Sequence, residues 1–598
     1  MKFSGLKKCF PSWQSAGLAV LSAVILILAF PGWELWFTAF FAFIPVLVAI
    51  DGEKASGIRS LVTGWIFGSV FFFGTCWWLT FSPITYAGFP WLLAYFLLLC
   101  VCLMVGLFPA LFALVLSVLL RRLGAFAVWA APCIWIASEF LRFWVTGNNW
   151  NALAYSQAFE GSLKSYASYG GIYLVGAAIM FWQTLAAFAI VRNQEEIGGK
   201  KNAPVHLVIW TALLGWFPLL DKRMRATAKE IDAEGGLSQR MALLYIVILF
   251  AGVIALPLAF AILMPEAPST ASSPRSALPN GTSIVAIQPN VPMEGLNLAR
   301  YEDLKRKHIA LAENAFEKNV SMMVEESASK YPAPEFNRES LTKGLREYFQ
   351  KQPKIVIFPE SPMNFMYEDD KEFQEWVRNF AVKNNASVLF NAAEPDPANK
   401  KYFNSAVMVD EAGKKVGQYD KIYLVPFGET VPAPLQSIIP ALVGSFSYGK
   451  EYDLLPFGDA KGGIMICFES HFPNLSREYV QQGADVLIEM TNDGYLGPTP
   501  ILRQHLANAV FRAVETARPV VRVTNVGISA YINERGDVLE PTAGYTEDTR
   551  VWGVGKSNQG QTLYVRFGDW FAWLSSFVSI GLLVWSLAKK RGVKLEEN

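Results

Sequence analysis

The longest stretch without a charged residue decides what this chain can fold into. Between Arg59 and Arg121 there is no Asp, Glu, Lys or Arg. No soluble fold explains such a stretch well, whereas a helix that crosses a bilayer needs about 20 apolar residues. Charged residues make up only 17% of the chain, below the roughly one quarter that is usual for soluble proteins. The sequence therefore predicts an integral membrane protein.

Eight apolar stretches are long enough to cross a bilayer. The predicted spans are 14–30, 35–50, 60–81, 91–120, 123–145, 165–191, 241–264 and 570–588. A further apolar segment, 205–220, is short and lies between two basic loops, so we interpret it as lying along the membrane surface. Because Lys and Arg favour cytoplasmic loops, eight spans put every basic cluster on the cytoplasmic side.

This topology places the long segment before the last span outside the cytoplasm. We predict a transmembrane domain over 1–264, a Pro-, Ser- and Ala-rich linker over 265–281, a catalytic domain over 282–568, and a last helix with a basic cytoplasmic tail over 569–598. The net charge of +1 argues against a nucleic-acid partner, which would need a clustered basic surface.

Short apolar strands alternate with polar helices over 282–568, as is typical of an α/β domain. The predicted strands are 283–288, 354–358, 387–391, 405–409, 463–467, 485–491, 520–525 and 529–532. The predicted helices are 300–328, 371–384, 476–482 and 501–517. Turn sequences at 410–413 and 534–537 indicate hairpins.

Three side chains capable of covalent chemistry stand at or near predicted strands. Glu360 lies two residues past a strand, Lys421 lies next to one, and Cys467 ends another. Ligands of open α/β folds gather at the carboxyl ends of strands. There Lys421 would favour the Cys467 thiolate, and Glu360 would accept and return the proton. Lys421 and the backbone N–H of Phe468 would stabilise the oxyanion of an acyl-transfer step.

The motifs around these residues resemble a known family. FPES, YDK followed by PFGE, and ICFES are similar to the Glu-Lys-Cys signature of the nitrilase (carbon–nitrogen hydrolase) superfamily. With membrane helices on both sides, the chain resembles the apolipoprotein N-acyltransferase family in particular. SEFLRFWVTGNNWNALAYSQ, TNDGYLG and QHLANAVFRAVETARPVVRVTN extend the resemblance over nearly the whole length. It implies a nitrilase-like αββα sandwich carried on a transmembrane bundle of about eight helices.

The resemblance also implies a reaction in two steps. Cys467 would take an acyl chain from a membrane phospholipid as a thioester. The chain would then pass to the N-terminal diacylglyceryl-cysteine of an apolipoprotein. Glu360 would be the base and Lys421 the charge stabiliser. The enzyme would be a monomer of the bacterial inner membrane, with its catalytic domain on the periplasmic side and no cofactor or metal.

The same motifs give further residues supporting or substrate-binding roles. In the catalytic domain, Glu429 of PFGE would orient Lys421 or assist at the site, and Asn404 and Glu469 would line the site. Phe468 stands where many relatives carry Tyr, which keeps the backbone donor but removes a hydroxyl. The remaining candidates are aromatic: Tyr495, which follows TNDG where relatives have Trp, and Trp150.

Three features near the predicted membrane surface keep two interpretations each. Trp150, at the outer end of the fifth span, is an interface anchor or a lipid contact. The uncharged segment 431–448 is a flexible lid over an acyl channel or packs on the membrane helices. Glu139 and Arg142 pair two helices or hold a phospholipid head group.

Three alternative functions use the same residues differently. A membrane-tethered amidase or nitrilase would pass the acyl group to water. A catalytically inactive nitrilase domain would act as a membrane scaffold, although all three catalytic residue types are present. A cysteine protease would need His471 or His505 as its base, but His471 is only four residues after Cys467 and His505 lies in a predicted helix.

Overall fold

The computed structural model describes residues 9–160, 162–197, 281–293, 298–330, 337–360, 365–431 and 446–588. The chain divides into two compact units, an N-terminal helical unit that also contains the last helix, and a sheet unit that ends at Gly568. We call them the membrane unit and the sandwich unit. The predicted segment 205–220, the predicted span 241–264 and the linker up to residue 280 lie outside the described residues, as does the C-terminal basic tail.

The membrane unit is built from apolar helices. They are α1 (Trp13–Ala29), α2 (Ile44–Gly52), α3 (Gly57–Thr75), α4 (Phe81–Thr85), α5 (Trp91–Val105), α6 (Leu107–Leu123), α7 (Ala131–Thr146), α8 (Ala167–Ile197) and, after the described helices of the sandwich unit, α15 (Trp570–Ala588). Four described stretches are long and apolar enough to cross a membrane: Gly57–Thr75, Trp91–Thr146, Ser162–Arg192 and Trp570–Ala588. The second of these contains α5, α6 and α7.

Several predicted spans differ from the observed helices. The stretch 123–145 begins as a 3₁₀ helix over Gly124–Ala130, and 165–191 has non-helical backbone angles at Gly170 and Gly171. The stretch 35–50 is not one helix, because a 3₁₀ turn over Trp36–Phe40 is followed by α2. Pro45 stands in the first turn of α2, where its missing N–H costs nothing, so the chain starts a new helix there. The stretch 60–81 ends as an α-helix at Thr75 and continues as a 3₁₀ turn. By contrast, Gly106 keeps helical angles, so α5 and α6 follow one another as the single span 91–120 predicts.

Small residues let α3 and α6 approach closely. A Cβ on Gly64 would lie 2.4 Å from the Pro109 carbonyl oxygen, and one on Gly68 would lie 2.6 Å from the Pro109 ring. Two glycines four residues apart on one helix face are typical of close helix pairs in membranes, where packing and not water exclusion drives association. Larger residues at these two positions would force the helices apart.

The last helix packs along α6 and α7. The guanidinium of Arg122, at the end of α6, donates to the carbonyl oxygens of Ser586 at 2.9 Å and Leu587 at 3.5 Å. At the other end of α15, the Trp573 ring lies 5.0 Å from Phe140 near the end of α7. The C-termini of α6 and α15 therefore share one face of the membrane unit, and the end of α7 shares the opposite face with the start of α15.

The sandwich unit contains two sheets. Its strands are β1 (Thr282–Gln288), β2 (Lys354–Ile357), β3 (Ser387–Asp396), β4 (Lys401–Val409), β5 (Lys415–Asp420), β6 (Phe446–Ser447), β7 (Leu454–Phe457), β8 (Ala460–Ile466), β9 (Val486–Thr491), β10 (Val520–Thr524), β11 (Ala530–Ile532), β12 (Val538–Leu539) and β13 (Asp548–Val554). One sheet has the order β13-β1-β2-β3-β4-β5 with β6 beside β4, and the other β12-β11-β10-β9-β8-β7. Within each sheet three neighbouring strands are parallel, β1-β2-β3 and β8-β9-β10.

Helices cover the sheets. They are α9 (Leu298–Lys330), α10 (Arg338–Lys351), α11 (Lys371–Asn384), α12 (Pro473–Gln481), α13 (Ile501–Thr516) and α14 (Leu563–Phe567). Residues of α9 and α11 bury an apolar core against the first sheet, while α12 and α13 pack on the second. Between the sheets, the Gln288 side chain accepts hydrogen bonds from Thr524 and Ser529. The layers are those of the predicted αββα sandwich.

The eight predicted strands and four predicted helices of this unit are all found, with shifted ends. The elements that sequence patterns missed are edge strands and two helices, α10 and α14. Strands β5 and β13 read KVGQYD and DTRVWGV, whose charged and Gly positions hide the alternation of a strand. The helix α10 was also missed, although Asn337 caps it by accepting from the Ser340 N–H.

Candidate active site

A lysine buried between two glutamates forms the centre of the site. Lys421 directly follows β5 and is fully buried. Its Nζ lies 2.9 Å from Glu429 Oε1 and 3.4 Å from Glu360 Oε1. The Asn404 amide, on β4, donates to the same two oxygens at 2.7 and 3.1 Å. We call Glu360, Asn404, Lys421 and Glu429 the lysine cluster.

The two glutamates of the lysine cluster differ in their surroundings. Glu429 is buried, and its second oxygen accepts the backbone N–H of Val425 at 2.8 Å. Glu360 keeps 13% of its side chain exposed, and its second oxygen accepts the backbone N–H of Asn492 at 3.1 Å. Glu429 is thus fixed within its own loop, whereas Glu360 is the carboxylate that an incoming molecule can reach.

Cys467 stands at a sharp turn at the carboxyl end of β8. Its φ is +53°, a left-handed conformation that L-residues rarely adopt and that is common at functional sites. The chain continues at once into a short 3₁₀ helix, Cys467–His471. The thiol lies within hydrogen-bonding reach of the Glu360 carboxylate and of Thr491. The structure therefore brings Glu360, Lys421 and Cys467 together.

Burial sets the protonation of the three groups. Burial most strongly raises the pKa of the Cys467 thiol, the Glu360 charge raises it further, and the Lys421 ammonium does not reverse this. Burial likewise raises the pKa of Glu360 above its ordinary value. Burial opposes the charge of Lys421, but Glu429 and Glu360 outweigh it and raise the pKa of Lys421. Lys421 thus lowers the pKa of the Cys467 thiol, as expected, but burial and the Glu360 charge outweigh it, so the resting group is the protonated thiol.

Glu469 joins the lysine loop to the cysteine turn. One of its oxygens accepts from the Tyr419 hydroxyl at 2.7 Å and from the backbone N–H groups of Ile422 and Tyr423 at 2.7 and 3.1 Å. The other accepts the Ile466 N–H at 2.8 Å. Glu469 is fully buried and holds the two loops together, and its place in the lining of the site stays a prediction.

The aromatic candidates lie in different places. The Phe468 ring packs against Phe472, with centroids 5.2 Å apart, and against His471 at 4.8 Å. Tyr495 is half-buried in a 3₁₀ turn, Asp493–Leu496, after β9. Of the predicted lid 431–448, the structure describes only residues 431 and 446–448, so the lid stays a prediction.

In the membrane unit, Glu139 and Arg142 both bind the loop that follows α7. Arg142 donates to the carbonyl oxygen of Trp150 at 2.6 Å, and Glu139 accepts the N–H of Leu153 at 2.8 Å. The Trp150 ring lies 5.1 Å from that of Trp78. The two charged residues thus stabilise the loop that carries Trp150, and a role in holding a lipid head group stays a prediction.

Neither histidine of the protease alternative is oriented as a base for the thiol. His505 places Nδ1 2.7 Å from Asp493 Oδ1 and Nε2 3.1 Å from the carbonyl oxygen of Cys467. His471 places Nδ1 2.8 Å from the Phe468 carbonyl oxygen, and the Asn508 amide donates to its Nε2 at 3.3 Å. Both rings therefore bind the backbone of the cysteine turn or its supports.

Sequence reasoning missed a second set of charges beneath Cys467. Glu489 on β9 and Arg522 on β10 form a fully buried ion pair, and Arg522 also binds Asp493 at 2.9 Å. We call Glu489, Asp493, His505 and Arg522 the histidine cluster. Its sequence signal is a single charge in the middle of an apolar strand, in VLIEMT and VVRVT. Such a residue is almost never buried without a partner.

Comparison with known proteins matches the membrane unit and the sandwich unit to two different family models. The family model described as the apolipoprotein N-acyltransferase N-terminal domain matches residues 22–185, and the carbon-nitrogen hydrolase model matches 302–558. An apolipoprotein N-acyltransferase of Geobacter metallireducens is 28% identical over 566 residues, which cover 93% of this chain and 92% of that protein. The chain belongs to the apolipoprotein N-acyltransferase family.

Other similar proteins match chiefly one part of the chain. An apolipoprotein N-acyltransferase of Thermotoga maritima is 31% identical over 246 residues, which cover 40% of this chain and 45% of that protein. Among solved structures, an amidase from Nesterenkonia sp. is similar at 14% identity with a TM-score of 0.31, covering 49% of this chain and 95% of the amidase. Family membership and the apolar helices make this chain an acyltransferase of a bacterial membrane.

Proposed function

We propose that this apolipoprotein N-acyltransferase family member acylates the N-terminal diacylglyceryl-cysteine of apolipoproteins with a chain from a membrane phospholipid. The observation that carries the proposal is the meeting of Cys467 and an accessible carboxylate, which follow the parallel strands β8 and β2, with a lysine that follows the antiparallel strand β5. This combination fits covalent acyl transfer through a thioester.

The first half-reaction forms the thioester. Because the resting thiol is protonated, Glu360 takes its proton as sulfur attacks the ester carbonyl carbon of the phospholipid. The negative charge that develops on the carbonyl oxygen is stabilised by the Lys421 ammonium and the Phe468 N–H. When the C–O bond breaks, the protonated Glu360 returns the proton to the leaving lysophospholipid oxygen. The raised pKa of Glu360 suits this role, since the group must both accept and return a proton.

The second half-reaction transfers the chain. The α-amine of the lipoprotein cysteine attacks the thioester carbonyl, and Glu360 accepts a proton from the nitrogen. The C–S bond breaks, and the proton passes to the Cys467 sulfur, which restores the resting site. Glu429 and Asn404 keep Lys421 and Glu360 at a fixed spacing through both steps.

The amidase alternative uses the same three residues, but the match of the membrane unit to an acyltransferase-specific domain favours the lipid substrate. An inactive scaffold has no need of a lysine cluster with an accessible carboxylate. We further propose that the enzyme acts in the inner membrane, as a monomer, with the sandwich unit on the periplasmic side. A membrane-impermeant maleimide should then label Glu339→Cys, on exposed α10, in intact cells whose outer membrane is permeabilised.

The proposal is tested on the purified full-length protein in detergent. The protein is incubated with an isotopically labelled phospholipid and digested, and the acyl mass on each cysteine peptide is measured. Wild type and Cys100→Ala, a control in α5, should carry a hydroxylamine-labile acyl group on Cys467, and Cys467→Ala should not. A synthetic diacylglyceryl-cysteine peptide should then remove the label and gain the chain. Folded protein that acquires no label, or a thioester that only water removes, would overturn the proposal.

A further inference from the structure

His505 lies on α13, buried beneath the turn that carries Cys467. Its Nδ1 faces Asp493 Oδ1 at 2.7 Å. Its Nε2 faces two oxygens, the Cys467 carbonyl at 3.1 Å and Glu489 Oε1 at 3.2 Å. The imidazole therefore connects the backbone of the nucleophile to two buried carboxylates.

The partners of His505 fix its protonation. A carbonyl oxygen and carboxylate oxygens only accept hydrogen bonds, so both ring nitrogens must carry a proton to satisfy all three contacts. Burial and the Arg522 charge disfavour the cation, but Asp493 and Glu489 outweigh them and raise the pKa of His505 to about 9. The neighbouring His471 ring, 5.2 Å away, has a pKa lowered by burial and is neutral. The histidine cluster thus pairs two cations with two anions.

The carbonyl group that accepts a hydrogen bond from His505 belongs to the peptide unit that joins Cys467 to Phe468. The C=O of Cys467 and the N–H of Phe468 are parts of one planar trans peptide unit, in which they point in opposite directions. A hydrogen bond that draws the carbonyl towards α13 therefore turns the Phe468 N–H away from α13. The left-handed φ of Cys467 makes this orientation strained, and such a conformation persists only where its surroundings enforce it.

We infer that His505 is a positioning residue that orients the Phe468 N–H as an oxyanion donor, with Asp493 and Glu489 holding the imidazolium in place. The inference rests on the proposed acyl transfer, since only a reaction that forms an oxyanion uses this N–H. His505 touches neither the acyl chain nor the thiol in this role. It acts through the backbone of Cys467.

The test separates oxyanion stabilisation from thiol reactivity. Thioester formation from phospholipid passes through an oxyanion, whereas alkylation of Cys467 by iodoacetamide does not. In His505→Leu, the single-turnover rate of thioester formation should fall about 10²-fold, as for the loss of an oxyanion donor. The alkylation rate of Cys467 should change by less than about threefold, since no oxyanion forms in that reaction. In His505→Gln, whose amide can still donate to the carbonyl, part of the thioester rate should return.

The matched control is His308→Leu. His308 is also a buried histidine, but it lies on α9 and bonds to the Leu304 carbonyl of its own helix. Both rates should stay at the wild-type level there. Should His505→Leu not fold, His505→Gln carries the test, with a partial loss of thioester formation and unchanged alkylation. Equal losses of both rates in the His505 variants, or an unchanged thioester rate, would overturn the inference. A wild-type protein that is alkylated but never acylated would instead overturn the proposed function.

Discussion

Two clusters of buried charge meet the same cysteine, and they differ in balance. The lysine cluster, at the thiol, has two carboxylates for one ammonium. The histidine cluster, at the Cys467 carbonyl, has two carboxylates for two cations. An unbalanced cluster has a carboxyl group whose proton affinity is raised, and it can take up or release a proton at little cost. In a balanced cluster, the uptake or release of a proton would leave a net buried charge, so proton exchange is unfavourable. The lysine cluster is therefore suited to proton transfer, and the histidine cluster to holding the backbone of Cys467 in place.

The largest effect is expected from removing the base. Glu360→Gln should slow thioester formation on Cys467 about 10³-fold, within the range for loss of general acid–base catalysis. Folding should be preserved, because the change leaves one carboxylate for one ammonium. The single-turnover labelling assay gives the rate, and the melting temperature gives the control. A rate within tenfold of wild type would mean that another group accepts the proton.

Removing the cation should lower the free energy of unfolding by different amounts in the two clusters. Arg522→Met leaves Glu489 and Asp493 with one cation, and breaking a buried ion pair in this way costs about 3–5 kcal/mol. Lys421→Met should cost less, because Glu360 can take up a proton in compensation. Thermal unfolding of the purified protein, followed by tryptophan fluorescence, measures both. If Lys421→Met lowers the melting temperature as much as Arg522→Met, the clusters do not differ as described.

The pH dependence of stability should come from the histidine cluster. The folded-state pKa of His505, about 9, lies above its ordinary value of 6.5. The stability that its charge contributes is therefore fully present below pH 6.5 and is lost as the pH rises through about 9. As the pH rises from 6.5 to about 9, the melting temperature of the wild-type protein should fall, and that of His505→Gln should fall less. Parallel curves for the two proteins would show that the charge of His505 does not stabilise the fold.

The smallest effect is expected at the aromatic ring beside the nucleophile. Phe468→Tyr adds a hydroxyl to a half-buried ring but leaves the backbone N–H and both clusters unchanged. Thioester formation should change by less than about threefold, as is usual for substitutions that disturb neither packing nor a buried network. The labelling assay measures it, with Phe468→Leu as a control for the ring itself. A tenfold change in Phe468→Tyr would give the hydroxyl a role in substrate handling.

The sequence predicted the lysine cluster better than the histidine cluster, for a physical reason. Glu360 and Cys467 follow or end a predicted strand, and the YDK motif added Lys421, so strand ends and motifs were enough to group them. The histidine cluster depends on register, because Arg522 lies directly opposite Glu489 on neighbouring parallel strands. Neither VLIEMT nor VVRVT reveals that alignment by itself. The left-handed angle at Cys467 was equally hidden, since it results from tertiary contacts around the turn.

In the membrane unit too, the sequence predicted local structure but not the contacts between segments. Apolar length predicted where its described helices lie, and Pro45 explains the break in the predicted span 35–50. The role of Glu139 and Arg142 was not predictable, because it depends on how the loop after α7 folds back onto its own helix. Spacing along one helix indicates which side chains share a face, but not which backbone they bind.

The contact between Arg122 and the end of α15 has a consequence for the order of assembly. The two bonded residues are 464 positions apart in the chain, and nearly the whole sandwich unit is synthesised between them. A nascent chain that has reached Gly568 already contains every described strand of both sheets, while the helical bundle still lacks α15. Contacts between such distant segments form late in folding, since a long loop must close first. The last helix, α15, thus joins the bundle only after the segment destined for the other unit has been synthesised.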